Sequence, residues 1–264
     1  MKLEVNCDKY TFDEKKHKHF INGREVTGTT TIVGIIDKPA LIPWALKISM
    51  ERLKKTLRDK ELQDDNLDEA IDDAKQEPNR KKHEAGRFGT VVHALCEHYN
   101  KTGVLLPVDS EELPKSVLEC AQTFTEKELK KATKLLTQYI AWLEKNNAKI
   151  LYVEQNVFSE TYFLGGIFDM IIEVDGKTYI ADFKTSSGVY PSHFIQMGGY
   201  ELQLEEMAER GYIPELDIDG YIVLHVPRKG SLKEHRIADT SIYKRAFRAC
   251  IYIYRLVNDQ KWAL

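Results

Sequence analysis

With 264 residues, 42% of them hydrophobic and 30% charged, the chain is long enough for one large packed domain and too apolar to be disordered throughout. A formal net charge of −3 excludes a molecule that attracts phosphate over its whole surface, so any nucleic-acid contact must be local. No apolar run approaches the ~18 residues of a membrane span. The start, with Glu4, Asp8 and Asp13, resembles neither a secretory signal nor a transit peptide. Cys7, Cys96, Cys120 and Cys250 form no Cys-x-x-Cys pair, which argues against a zinc ribbon and for buried, reduced thiols in a cytosol-like compartment.

Residues 1–35 read as short strands, with the Asn22-Gly23 pair turning a hairpin between 20 and 26. Pro39 and Pro43 punctuate the chain before a helical pattern over 44–62. Residues 63–85 carry many charges and few large apolar side chains, which suits an exposed helix or a mobile loop. A second helix is expected from about Gly89 to Tyr99, with Val92, Leu95 and Cys96 at helical spacing. A loop containing Pro107 and Pro114 follows, then a helix over 126–146 with Leu129, Ala132, Leu135, Leu136, Ile140 and Leu143 on one side. From 150 the period becomes strand-like. Strands are expected at 150–158, 166–174 and 177–184, a helix at 192–210, two strands at 220–226 and 232–237 around a turn at 227–230, and a helix at 241–259. This order predicts a mixed α/β core with a largely helical N-terminal half.

Asp175-Gly176 is a strong two-residue hairpin turn. Closing it sets Val174 against Lys177 and Asp169 against Asp182, with Lys184 on the face of Asp182. Opposed carboxylates repel unless something positive lies between them. Counting alternately, Ile167 and Ile171 share the face of Asp169, and Ile180 that of Asp182. A solvated face is the plainer reading, but a charge pair within an apolar stripe is unusual without a purpose. Two carboxylates suit a hard divalent cation, magnesium or manganese. The lysine can orient or deprotonate a water, or neutralise charge on a phosphate. These are the parts of metal-assisted phosphodiester hydrolysis.

Gly165-Gly166-Ile167-Phe168-Asp169 and Ile180-Ala181-Asp182-Phe183-Lys184-Thr185-Ser186 resemble the second and third motifs of the PD-(D/E)XK nuclease superfamily, closest to its RecB-type exonuclease branch. Gly89-Thr90-Val91-Val92-His93 resembles that branch's N-terminal helix motif, Glu154 an acidic position on the strand before the hairpin, and Gln196-Met197-Gly198-Gly199-Tyr200 its Gln-x-x-x-Tyr helix. The stretch 28–45, with Thr29-Thr30-Thr31-Ile32 and Pro43-Trp44-Ala45, resembles phage-type members more loosely.

The resemblance implies a restriction-endonuclease-like fold: a mixed central β-sheet flanked by helices. Within one compact unit, 1–88 are then N-terminal strands and a helical substrate-binding region, and 89–264 the nuclease core with its C-terminal helix. His93, Asp169, Asp182 and the backbone carbonyl of Phe183 would hold magnesium or manganese. Lys184 would activate or position the water. Gln196 and Tyr200, one turn apart, would present an amide and a phenol to lysine and substrate. Glu154 is a further active-site candidate. Glu97 could orient His93 or form a surface ion pair. Trp44 could stack a single-stranded base or simply pack. Arg80, Lys81, Lys82 and Arg87 could form the local phosphate-binding patch or a solvated charge run. The run Lys15-Lys16-His17-Lys18-His19 reads as solvated. Only Cys250 follows the core, so no iron–sulfur cluster is expected, and the chain has no phosphate loop of a helicase. The implied partners are DNA, single-stranded or with free ends, together with recombination or helicase proteins. The implied setting is the cytoplasm of a bacterial or phage-infected cell, without a membrane. An exonuclease is favoured; a structure-selective endonuclease and a non-catalytic DNA-binding scaffold are the alternatives.

Overall fold

A computed structural model describes residues 3–36, 38–59, 64–227 and 230–258. The first three strands are β1 (Tyr10–Asp13), β2 (Lys18–Ile21) and β3 (Arg24–Gly28). Asn22 and Gly23, at φ 50° and 72°, form the expected tight turn, and Ile21 pairs with Arg24 across it. Residues 29–33, expected as strand, form a short helix, α1 (Thr29–Val33). Its β-branched residues favour strand locally. Packing of Ile32 and Val33 with Leu164, Leu202 and Phe247 overrides that preference.

Helix α2 (Leu41–Asp59) begins three residues earlier than expected. Pro43 falls in its first turn, where a missing N–H costs no helical bond. The charged stretch and the histidine helix are one 39-residue element, α3 (Asp64–Thr102), which also runs unbroken across the division expected at 88/89. Pro78 lies inside it and does not end it. The buried residues Ala70 and Ala74 are small, so they left almost no apolar period to read. Helix α4 (Lys115–Ala121), within the stretch expected as loop, is seven residues long and buries only Val117 and Ala121. Helix α5 (Glu126–Lys145) opens with a capping box between Thr125 and Glu128.

The core strands lie close to their expected places: β4 (Lys149–Ser159), β5 (Leu164–Val174), β6 (Lys177–Lys184), β7 (Gly220–His225) and β8 (Lys233–Ile237). Helices α6 (Pro191–Glu209) and α7 (Ser241–Asn258) do so too. Arg228 and Lys229 of the expected 227–230 turn, and residues 60–63 and 259 at predicted boundaries, lie outside the described residues. The strands form one eight-stranded sheet in the order β1-β2-β3-β5-β6-β7-β8, with β4 paired to β5. The β3–β5 and β6–β7 pairings are parallel, the others antiparallel. One face packs on α3, α4 and α5 through residues such as Val91, Leu135, Met170, Phe183 and Leu224. The other packs on α6 through Met197, Leu204, Phe168, Ile180 and Val223. Helices α1 and α7 add a third cluster beside it. The molecule is therefore a helix–sheet–helix sandwich.

One feature of the sheet places the site. β4 follows β5 along one edge, from Lys149↔Glu173 to Ser159↔Leu164. The other edge is divided. β3 takes Leu164 and Gly165, and β6 takes Met170 to Val174. Residues 166–169 lie in the fork between them, outside the backbone ladder of either neighbour.

Candidate active site at the fork of the sheet

The turn at Asp175 and Gly176, φ 53° and 72°, sets Val174 against Lys177 and keeps that register to Met170↔Ala181. Asp169 and Asp182 are the next step, where the backbone ladder has ended. There the Phe183 N–H donates to Asp169 Oδ2 at 2.9 Å, so a side chain replaces the lost ladder bond. The alternation counted from sequence slips at this point. Phe168 and Ile171 both pack toward α6, while Met170 and Ile172 pack toward α3. Ile171 therefore does not share the surroundings of Asp169, whose Oδ2 lies 3.4 Å from His93 Nδ1 on α3. On the neighbouring strand, Lys184 Nζ lies 2.6 Å from Asp182 Oδ2. The fork brings His93, Asp169, Asp182 and Lys184 together from α3, β5 and β6.

Burial dominates the electrostatics. Asp182 is 2% exposed, and desolvation raises its carboxyl to about 6 against the opposing pull of Lys184. Burial draws the Lys184 ammonium down, but the carboxylates of Asp182 and Asp169 more than reverse this and hold it above its ordinary value. Glu154 faces the same cluster from β4. Burial, then the charge of Asp169, raises it to about 8. Its backbone φ of 48° is unusual for a non-glycine residue inside a strand. Glu97 pairs with Lys101 instead of orienting His93.

On the α6 side, Gln196 Nε2 donates to Tyr200 Oη at 2.6 Å and to Thr30 Oγ1 at 3.3 Å. Tyr200 is buried, as is the Gln203 amide beneath it, which donates to Thr29 Oγ1 at 2.8 Å. Thr29 in turn donates to the Gly165 carbonyl. Gln203 and His193, whose imidazole burial and then Lys184 lower to about 4, escaped the sequence reading, which has Thr30 only within the 28–45 stretch and without a role. For Gln203 the seven-residue step from Gln196 on the helix was the available signal. The glycines of the motifs have steric causes. A Cβ on Gly89 would stand 2.9 Å from Thr185 Oγ1, and one on Gly166 2.6 Å from Thr29 Oγ1. On Gly198 it would stand 2.7 Å from the Tyr243 backbone. These positions let α3, α1 and α7 close on the site.

The proposed substrate residues of the N-terminal half are arranged differently from a free cationic patch. Arg80 is held by Asp73 and Glu77, and Lys81 by Glu84 and Glu77. Lys82 and Arg87 are exposed. Trp44 is half-buried in the first turn of α2, which packs on α3. His19, expected in solvent, is buried and bonded through Nδ1 to Tyr10 Oη at 2.6 Å.

A family model of the PD-(D/E)XK nuclease superfamily matches residues 61–251. This chain belongs to the PD-(D/E)XK nuclease superfamily. Membership supports a metal-dependent nuclease, the phosphodiester-hydrolysing class of that superfamily, and the mixed sheet between helices is the restriction-endonuclease-like fold. The crystal structure of SSO0001 is 16% identical, with 62% of this chain and 73% of that one covered, at a TM-score of 0.29. A comparison with curated proteins finds no match.

PD-(D/E)XK nucleases use divalent ions such as magnesium or manganese, and the residues present suit one in chemistry. Asp182 Oδ2 is buried and makes no hydrogen bond of good geometry, despite its closeness to Lys184. Two carboxylates and an imidazole are oxygen and nitrogen donors of the kind that hold a divalent cation. As the side chains stand, His93 closes on Asp169 and Lys184 on Asp182. Among the described residues no three histidine, cysteine or acidic side chains converge on one point.

Proposed function

We propose that this PD-(D/E)XK protein is a deoxyribonuclease that degrades DNA from its ends, as the RecB-type exonucleases it resembles do. The observation that carries a catalytic reading is the buried Asp182–Lys184 pair, 2.6 Å apart, with the Asp169 carboxylate and the His93 imidazole beside it. Burying two carboxylates and an ammonium together costs desolvation that a structural role alone does not call for. Asp169, Asp182, His93 and the Phe183 carbonyl would hold the cation, which when bound supplies positive charge to phosphate oxygens and acidity to water.

The chain's own residues do the rest. Lys184, kept charged by its carboxylate neighbours, donates hydrogen bonds, so it orients the attacking water and offsets charge on the phosphate. Water oxygen bonds to phosphorus and releases a proton to solvent, the opposite P–O bond breaks, and the leaving oxygen takes a proton from solvent. Gln196 and Tyr200 present an amide and a phenol to the phosphate, anchored through Thr30. Glu154, which burial and the charge of Asp169 hold above the ordinary carboxylate range, adds less negative charge to the site than a free carboxylate would. The activity suits recombination, repair or phage DNA processing, alongside helicase or recombination proteins.

The test is digestion of end-labelled linear and circular single-stranded DNA with magnesium, manganese or chelator. Linear DNA should be degraded only with metal, and circles spared. Cleaved circles would make the protein an endonuclease. Binding without cleavage of either would make it a scaffold.

A further inference from the structure

A cavity of about 350 Å³ opens between the N-terminal hairpin and α1 and ends against Tyr200. Its floor includes Gly165 and Gly166, directly before the catalytic fork, and its walls carry Lys16, His17 and Lys18 opposite Thr30 and Thr31. No side chain can occupy that floor. A Cβ on Gly165 would stand 2.4 Å from the His19 side chain, and one on Gly166 2.9 Å from the Tyr200 ring. The hairpin cannot swing away either, because β3 is hydrogen-bonded to β5, the strand of Asp169.

The wall is cationic and available. Lys16 reaches its nearest carboxylate, Asp13, only at 4.0 Å, and its side chain is 71% exposed. Lys18 pairs with Glu25 at 2.8 Å, but both side chains are open to water, and a phosphate can replace such a partner. His17, exposed at φ 52°, stands edge-on to Phe12 and so has a fixed ring beside the cations. Cations, an exposed ring and hydroxyl groups along a channel are the chemistry of a sequence-tolerant strand groove. The volume is at the low end of the ~300–1,000 Å³ of ligand sites, room for roughly one nucleotide unit and not for two paired backbones.

We infer that this groove holds the sugar–phosphate backbone of a single DNA strand next to the nucleotide at Asp169 and Asp182, an inference that rests on the proposed deoxyribonuclease function. The hairpin, and not the 80–87 run, is then the main phosphate contact outside the active site.

Anisotropy titrations of a fluorescein-labelled oligo-dT with the Lys184→Ala protein in magnesium test it. The further triple change Lys16→Gln, His17→Asn, Lys18→Gln should weaken binding about tenfold. It should also flatten the log–log salt slope by about 1.4, two lost contacts at ~0.7 each. Thr31→Lys should tighten binding and steepen the slope by about 0.7, a gain that misfolding cannot imitate. Unchanged affinity and slope in both variants would overturn the groove, as would effects seen with blunt duplex and not with the single strand. Digestion of the oligonucleotide by the Lys184→Ala parent would count against the proposed mechanism instead, and the same titrations in chelator still decide the groove.

Discussion

Asp182 and Glu154 are both held above their ordinary values, at about 6 and about 8, and burial is the first cause for each. A carboxyl whose folded pKa is raised binds more protons folded than unfolded, so it destabilises progressively as pH rises through the window. For Glu154 that window runs from 4.5 to about 8. In chelator, Glu154→Gln should therefore melt higher than the parent protein by a few degrees at pH 8, and the gap should shrink towards pH 5. A constant gap across that range would remove the electrostatic explanation. Lys184→Ala should lower cleavage by about 10²–10³ or more, the scale of a lost transition-state donor, while DNA affinity changes little. Near-normal turnover in that variant would eliminate Lys184 from the mechanism. His19 works in the opposite sense. Burial lowers it to about 4, so its share of stability is present above pH 6.5 and is lost as pH falls through 4.

Elements differ in how locally they are determined. Helix α5 has a full capping box, with Thr125 and Glu128 each satisfying the other's backbone N–H. Thr125→Ala should cost about 1 kcal/mol and lower the melting temperature by a few degrees. Nuclease activity should be untouched, because Thr125 caps the far end of α5, which meets the site's elements through Tyr139 on Phe183 and Asn100; a large loss of kcat would show that the α5 cap positions α3. Strand β5 is the opposite case. Its alternation slips at Asp169 because it serves three neighbours, β3, β4 and β6, and none of those pairings is local except the Asp175-Gly176 hairpin. That slip lets one aspartate reach both a backbone N–H on β6 and an imidazole on α3.

At the scale of the molecule the candidate site is an assembly of layers: His93 from one helical layer, the carboxylates and lysine from the sheet, and Gln196 and Tyr200 from the other. A cation bridging such groups binds the folded chain and not the unfolded one, so it must stabilise the whole. Millimolar manganese should raise the melting temperature by several degrees; at 100 times the dissociation constant linkage contributes about 2.7 kcal/mol. The Asp169→Asn/Asp182→Asn double variant should melt at the same temperature with manganese or chelator. An equal manganese shift in that variant would place the ion elsewhere.

The sequence by itself determined what depends on near neighbours. The Asn22-Gly23 and Asp175-Gly176 turns set two hairpins and their registers through the φ > 0 their residues tolerate. Helical periods located α2, α5, α6 and α7, and the spacing of Asp169, Asp182 and Lys184 along one hairpin brought the site chemistry within reach of a reader. Tertiary structure decided the rest. It turned the β-branched Thr29–Val33 run into helix and joined the charged stretch 64–88 to the histidine helix through Pro78. It also opened the fork in which Asp169 stands and set the hairpin beside Tyr200. Each of these follows from contacts between residues far apart in the chain, whose free energy exceeds the fraction of a kcal/mol by which local propensity favours one conformation over another.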